Sequence, residues 1–313
     1  MKMAVNNSLQ KSQKRLGIGS YLTGDAVKQR INQVIGGKDG QRFISAVVSA
    51  VQTNPGLQEC TNQSILSAAL LGESLKLSPS PQLGQYYMVP FNDRERGKVA
   101  QFQLGYKGYI QLAIRSGQYK KLNVLAIKDG ELIKFDPLNE EIEVRLIEDE
   151  EAREAAETIG YYAMFEYTNG FRKAIYWSKK KMLAHADKYS QAFSANGGTV
   201  KTRYGEKTKV SYSDYVAGNF DPKDAWMYSS FWYKDFDGMA YKTMLRQLIS
   251  KWGIMSIDMA SAIDADMAVI NDDGTKEYVD NDPDVIDMEP VSEPVQEAPV
   301  EDIQSALFGG DGQ

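Results

Sequence analysis

Lys107, Gln111 and Arg115 stand four residues apart in the segment GYKGYIQLAIRSG, Gly105–Gly117, so a helix there places all three on one stripe. An ammonium, an amide and a guanidinium in a row suit the gripping of phosphate oxygens. Tyr106 and Tyr109, on the adjoining face with Ile110 and Ala113, offer rings on which bases can stack. A second set of this kind lies in FWYKDFDGMAYKTMLRQLISKW, where Lys242 and Arg246 share one helical stripe. Phe236, Met239, Ala240, Met244, Leu248 and Trp252 share another. A third set, Lys201, Arg203, Lys207 and Lys209, falls in the Gly-, Ser- and Tyr-rich stretch 190–222, expected to be an adaptable basic loop that is poorly ordered without a ligand. Each set also fits a plainer reading, a solvated charged face with tyrosines in the core.

Bond-breaking chemistry has little to work with. One histidine, His185, and one cysteine, Cys60, give no zinc-ligand spacing and no Cys–His nucleophile. No G-x-x-x-x-G-K-[ST] occurs, and Gly36-Gly-Lys-Asp-Gly imitates a phosphate loop only superficially. Asp235 and Asp237 could hold a metal, as could the acids of Glu140–Glu143. The aspartates, however, sit in the opening turns of the last helix, where the helix dipole favours anions. No catalytic residue, metal or cofactor is expected.

The formal charge of −6 is unevenly distributed. From Ile257 to Gln313 there are sixteen Asp or Glu and one Lys, net −15; the remaining residues carry 35 basic and 26 acidic side chains, net +9. A basic body with an acidic extension is a recurrent form of polyanion-binding protein, although solubility alone also explains it. No apolar run approaches the ~20 residues of a membrane span. The stretch Met1–Ser20 lacks the apolar block of a signal peptide, and a lone cysteine fits a reducing cytoplasm.

The elements that must position these residues can be read from periodicity. Residues 1–60 hold a polar, mobile start and two amphipathic helices, Asp25–Ile35 and Gln41–Gln52. A third helix, Thr61–Leu75, leads through Ser78-Pro79-Ser80-Pro81 into strands Gln85–Phe91 and Val99–Leu104, a hairpin across Asn92–Lys98. The central helix follows. Leu122–Ile127 and Leu132–Phe135 flank Lys128-Asp129-Gly130, a hairpin signal, and Glu141–Ile147 alternates apolar and charged residues. Glu148–Glu157 reads as a solvated loop or short exposed helix. Ile159–Tyr167 and Phe171–Trp177 form a second hairpin on Thr168-Asn169-Gly170, and Ser178 caps a basic helix, Lys179–Tyr189. The order is α+β: small antiparallel sheets and hairpins packed on a long central helix, with a helical N-terminal part. The expected divisions are 1–60, a core at 61–256, and a disordered acidic tail at 257–313, rich in acids with four prolines.

Three segments, LKLSPSPQLGQYYMVPF, FQLGYKGYIQLAIRSGQYKKLNV and FWYKDFDGMAYKTMLRQLISKWG, resemble in order the signature stretches of the RecT family, phage and prophage single-strand DNA annealing proteins. The resemblance runs from about Thr61 to Ser256, and no signature segment is missing. It implies annealing of complementary single strands without ATP, assembly into rings or helical filaments, and work beside a partner exonuclease in homologous recombination in a bacterial cytoplasm. It also implies a small antiparallel sheet packed on a long helix. Ile303, Leu307 and Phe308, among acids and glycines near the chain end, suit docking on a host single-strand binding protein, or belong to an inert extension. Two alternatives remain from the residues alone: a passive single-strand binding protein that resists pairing, and a metal-dependent nuclease using the carboxylates named above.

Overall fold

The computed structural model describes residues 16–278 except 94, 95, 191, 203, 204 and 272, and the backbone only of 37, 38, 201 and 202. Arg203 and residues 279–313, with Ile303, Leu307 and Phe308, lie outside the described residues, as does the side chain of Lys201.

The helices are α1 Ile18–Thr23, α2 Asp25–Ile35, α3 Gly37–Thr53, α4 Asn62–Ser74, α5 Tyr106–Ser116, α6 Glu150–Ala155, α7 Lys179–Tyr189, α8 Tyr212–Val216, α9 Phe231–Lys234, α10 Phe236–Trp252 and α11 Ile257–Asp264. The strands are β1 Tyr86–Asp93, β2 Gly97–Leu104, β3 Tyr119–Lys128, β4 Leu132–Asp136, β5 Glu141–Val144, β6 Thr158–Tyr167, β7 Arg172–Ser178, β8 Gly198–Thr202, β9 Gly205–Lys209, β10 Ala268–Ile270 and β11 Lys276–Tyr278. One sheet has the order β1-β2-β10-β11, a second β3-β6-β7, and β4-β5 and β8-β9 are separate hairpins. Every pairing is antiparallel, which makes the fold α+β.

Two apolar cores share one helix. In the first, the stripe Phe43, Ile44, Val47 and Val51 of α3 meets α4, whose Ile65, Leu66, Ala68 and Ala69 are all buried, together with β1, β2, α5 and α11. The N-terminal helices therefore belong to the same core as residues beyond 61, and α1 buries Leu22 within the stretch expected to be mobile. The second core is aromatic: Tyr161 and Phe165 of β6 pack with Phe193, Tyr228, Trp232, Tyr233 and Phe236. Helix α10 serves both, sending Ala240, Met244 and Leu248 into the second core and Leu245 and Ile249 into the first.

Such a helix is buried nearly all round, and its Lys242 is 7% exposed. A buried ammonium must be paired. Asp266, beyond the end of α11, supplies the partner: Lys242 Nζ donates to Oδ1 at 2.8 Å, Arg246 Nη1 to Oδ2 at 3.0 Å, and the Leu104 amide to Oδ1 at 2.9 Å. The tail expected from Ile257 thus begins inside the fold. Ser256 caps α11, Met259, Ala262, Ala265 and Ala268 are buried, and Ala268 pairs with Phe102 in the first sheet. The acid count of the whole stretch hid a helical apolar spacing at 259, 262 and 263 and the short run Ala268-Val269-Ile270.

Two other expectations change. The Asp-Gly turn after β3 does not make a hairpin, because β3 pairs with β6 and β4 with β5. Glu131, fully buried, is what bends the chain out of the sheet: it accepts from the Lys128 and Ile147 amides and from Arg153 Nε at 2.6 Å. The described residues of 190–222 are not an open loop: β8 and β9 pair, and Phe193, Val200, Tyr212, Tyr215 and Phe220 pack onto the second core.

Removing Asp266 should leave two cations buried and unmatched. Asp266→Ala is expected to cost about 3–5 kcal/mol, read from urea unfolding midpoints. Adding Lys242→Met should recover part of that loss, and equal stability of wild type and Asp266→Ala would refute the arrangement. Burial pushes the Glu131 carboxyl up, but the hydrogen bond from Arg153 and those from the two amides outweigh it and hold it below the ordinary 4.5. A carboxylate so lowered stabilises the fold fully above the ordinary value, and the contribution is lost as pH falls through the folded one. Glu131→Gln should therefore cost about 1.5–3 kcal/mol at neutral pH. The gap from wild type should narrow on acidification below about pH 4.5.

Candidate nucleic-acid interface

Helix α5 is set against the turn preceding β1 by two glycines. A Cβ at Gly105 would collide with the Gly84 carbonyl, and one at Gly108 with the Gln85 carbonyl. The Gly105 amide donates to the Gln85 carbonyl at 2.9 Å. The turn itself is braced by Ser78, whose amide donates to Gln85 Oε1 at 2.7 Å, and by Ser80, whose carbonyl accepts from Leu83 and Gly84. The spacing G-Y-K-G is thus a backbone close approach, and it fixes which face of α5 looks outward.

That outward face carries Lys107, Gln111, Ile114 and Arg115, all exposed. Arg115 Nη2 donates to the Leu75 carbonyl at 2.6 Å, which anchors the guanidinium at the C-terminus of α4. The next residue, Lys76, is exposed and left-handed at φ +53, a conformation that favours glycine. Lys76 therefore joins the row beside Arg115. Nothing in helical spacing could have found it, because it comes from a different element. No described carboxylate forms an ion pair with Lys107, Lys76 or Arg115.

The other sequence-predicted residues lie elsewhere. Tyr109 is fully buried in the first core, where its ring packs among apolar side chains and is not open to a base. Tyr106 is half-buried, edge-on to Tyr241 at 5.6 Å, with Lys107 Nζ 5.9 Å from its ring centre. Lys242 and Arg246 form the inward pair on Asp266 and not an outward stripe. Lys207 is exposed, ion-paired with Asp224 and 6.0 Å from the ring centre of Trp226, itself half exposed. Lys209 is buried, donating to the Ala192 carbonyl at 2.8 Å, and that burial pushes its ammonium below the usual lysine range. The structure brings Lys107, Gln111 and Arg115 together with Lys76. Lys242 and Arg246 of α10 turn instead to Asp266, and Lys207 and Lys209 to Asp224 and the Ala192 carbonyl.

Four of the carboxylates considered for metal chemistry have partners within the fold. Asp235 caps α10, accepting from the Gly238 amide at 3.0 Å, and Asp237 accepts from Tyr161 Oη at 2.6 Å. Glu140 pairs with Lys173 and Glu141 with Lys134. Among the described residues no group of three His, Cys, Asp or Glu is placed to hold a metal ion. His185 lies among rings, 4.5 Å from Tyr189 and 5.5 Å from Trp177 between ring centres. No helix of the described residues is long and apolar enough to cross a membrane.

Comparison with known proteins places the chain as a whole. An uncharacterised protein of Bacillus subtilis (strain 168), YqaK, is 36% identical over 308 residues, covering 95% of this chain and 90% of its own length. Protein RecT of Escherichia coli (strain K12) is 28% identical over 233 residues, 72% of this chain and 71% of its own. The model of the RecT family matches residues 41–284, which begins within α3 and extends past Ser256 through α11, β10 and β11. With most of its length so matched, the chain belongs to the RecT family, the recombination-related single-strand annealing proteins.

Proposed function

We propose that this protein pairs complementary DNA single strands without ATP, gripping the backbone along the outward row of α5 as a homo-oligomer on DNA. The observation that carries this reading is Lys107, Gln111, Arg115 and Lys76 on one exposed face with no described carboxylate neutralising the three cations. Single strands repel one another and fold on themselves, so pairing by collision is slow. A row of cations neutralises phosphates and releases counterions, which gives tight and salt-sensitive binding. Contacts confined to the backbone leave base edges free to test a second strand, and matched pairing supplies the free energy. No nucleotide hydrolysis is needed. Rings or helical filaments, a partner exonuclease supplying the single strands, and a host single-strand binding protein reached through the acidic C-terminal residues complete the proposal. Tyr106, Lys201, Arg203 and Lys207 are further candidate contacts.

Complementary oligonucleotides mixed with the protein should anneal faster than alone, at equal rates with and without ATP. Slower pairing than in its absence would instead identify a passive coat, and an ATP requirement would sink the proposal. Lys107→Ala and Arg115→Ala should each flatten the slope of log affinity against log salt by about 0.7, with little dependence on sequence.

Lys76 offers a test with opposed signs. Lys76→Gly relieves a left-handed side chain and should stabilise the fold by about 1 kcal/mol in urea. The same change should weaken single-strand binding and flatten the salt slope. A variant more stable and equally tight would remove Lys76 from the interface.

A further inference from the structure

Cations and indoles alternate along an edge strand of the second sheet. Strand β7 is an edge strand in the order β3-β6-β7, and its register sets Lys173 opposite Phe165 and Trp177 opposite Tyr161. Both partners belong to the second core, which α10 covers, so Lys173 and Trp177 lie on the α10 side of the sheet. The last turn of α10 contributes Lys251 and Trp252. Lys173 Nζ stands 3.6 Å from the Trp252 ring centre while also pairing with Glu140. This fixes the indole, and Trp252 remains 49% exposed.

Lys181, on the first turns of α7 four residues after Trp177, places its Nζ 4.1 Å from that ring centre. Burial, and then the charge of Lys251, lower the Lys181 ammonium below the usual lysine range. Lys181 thus stands at the Trp177 end of this face and Lys251, next to Trp252, at the Lys173 end, and among the described residues neither forms an ion pair with a carboxylate. Glu140 and Glu157 are engaged elsewhere, with Lys173 and Lys179. Exposed cations without a counter-charge on one face are open to an anionic polymer. Trp252, next to Lys251 in sequence and anchored by Lys173, offers a half-exposed stacking face.

We infer that Lys181 and Lys251, with Trp252 held by Lys173, form a further contact surface for single-stranded nucleic acid, in addition to the row on α5. The two ammonium groups take backbone phosphates, and Trp252 stacks on a base. Lys173 is a positioning residue that sets the ring. This assignment rests on the single-strand reading given above and adds a surface to it. A protein that must hold one strand while a second is tested gains from more than one set of backbone contacts on each subunit.

The test uses the full chain and oligothymidylate, with binding measured across a series of salt concentrations. Lys181→Ala/Lys251→Ala should flatten the slope of log affinity against log salt by about 1.4, two contacts of about 0.7 each, while Lys181→Arg/Lys251→Arg keeps it. Trp252→Ala should weaken binding at fixed salt roughly 5- to 150-fold, the loss of one stacked base. The tryptophan quench that oligothymidylate produces should shrink in that variant. Urea midpoints of all variants check that the fold persists, as these three side chains are exposed.

If wild type fails to bind oligothymidylate, the single-strand reading itself falls. If wild type binds and Lys107→Ala flattens the slope, but the double variant and Trp252→Ala match wild type, only this second surface is overturned. Equal quenching by polyglutamate of matched charge would assign the surface to acidic polypeptide and overturn it equally.

Discussion

One buried carboxylate holds the architecture together. Asp266 gathers Lys242 and Arg246 of α10 and the Leu104 amide at the end of β2, joining parts of the chain some 160 residues apart in sequence. Without it, α10 would carry uncompensated cations on the face it turns to the first core, and a helix committed to two cores could not seat there. The pairing also explains why the chain past Ser256 must fold: α11 and β10 deliver Asp266 to its place and close the first sheet beyond β2. A stretch whose composition suggests only solvated charge therefore has its most consequential acid at zero side-chain exposure.

This changes how the positive charge of the body is to be read. Lys242, Arg246, Lys173, Lys209 and Arg153 all spend their charge inside, on Asp266, Glu140, the Ala192 carbonyl and Glu131. The charge left on display is smaller and more localised than the sequence total suggests. That localisation is what gives the α5 row its weight, because cations without carboxylate partners on a rigid helix keep their field directed at solvent. Its rigidity in turn comes from Gly105 and Gly108, which let the Gly84–Gln85 backbone cross the start of α5 at a distance no side chain permits.

Much of this was legible in the sequence, for identifiable reasons. Helical spacing located α2, α3, α4, α5 and α10, and Thr168-Asn169-Gly170 located the β6–β7 hairpin, because in each the local pattern and the tertiary environment agree. Lys107, Gln111 and Arg115 share a face for the same reason. What could not be read depended on distant partners. The inward turn of Lys242 and Arg246 needs Asp266, the failure of the Asp-Gly hairpin needs Arg153 to reach Glu131, and the order in 190–222 needs the rings of the second core. Tyr109 and Tyr106 look alike in sequence, yet one fills the first core and the other reaches its margin.

The aromatic content carries the same lesson in reverse. A chain rich in tyrosine invites a stacking interpretation, but most of the rings between Phe193 and Phe236 pack on one another, with centres commonly about 5 Å apart, as the substance of the second core. Packing of that kind needs no ligand to account for it. The rings that do call for an explanation are the exposed ones, Phe135, Phe171, Trp226 and Trp252. Of these only the two tryptophans have a lysine ammonium set over the ring, Lys207 and Lys173 respectively. Burial would satisfy an indole by itself. An indole left half in water and fixed from one side by a cation has paid for order that the apolar core does not use, and a planar, anionic polymer is the kind of ligand that would use it.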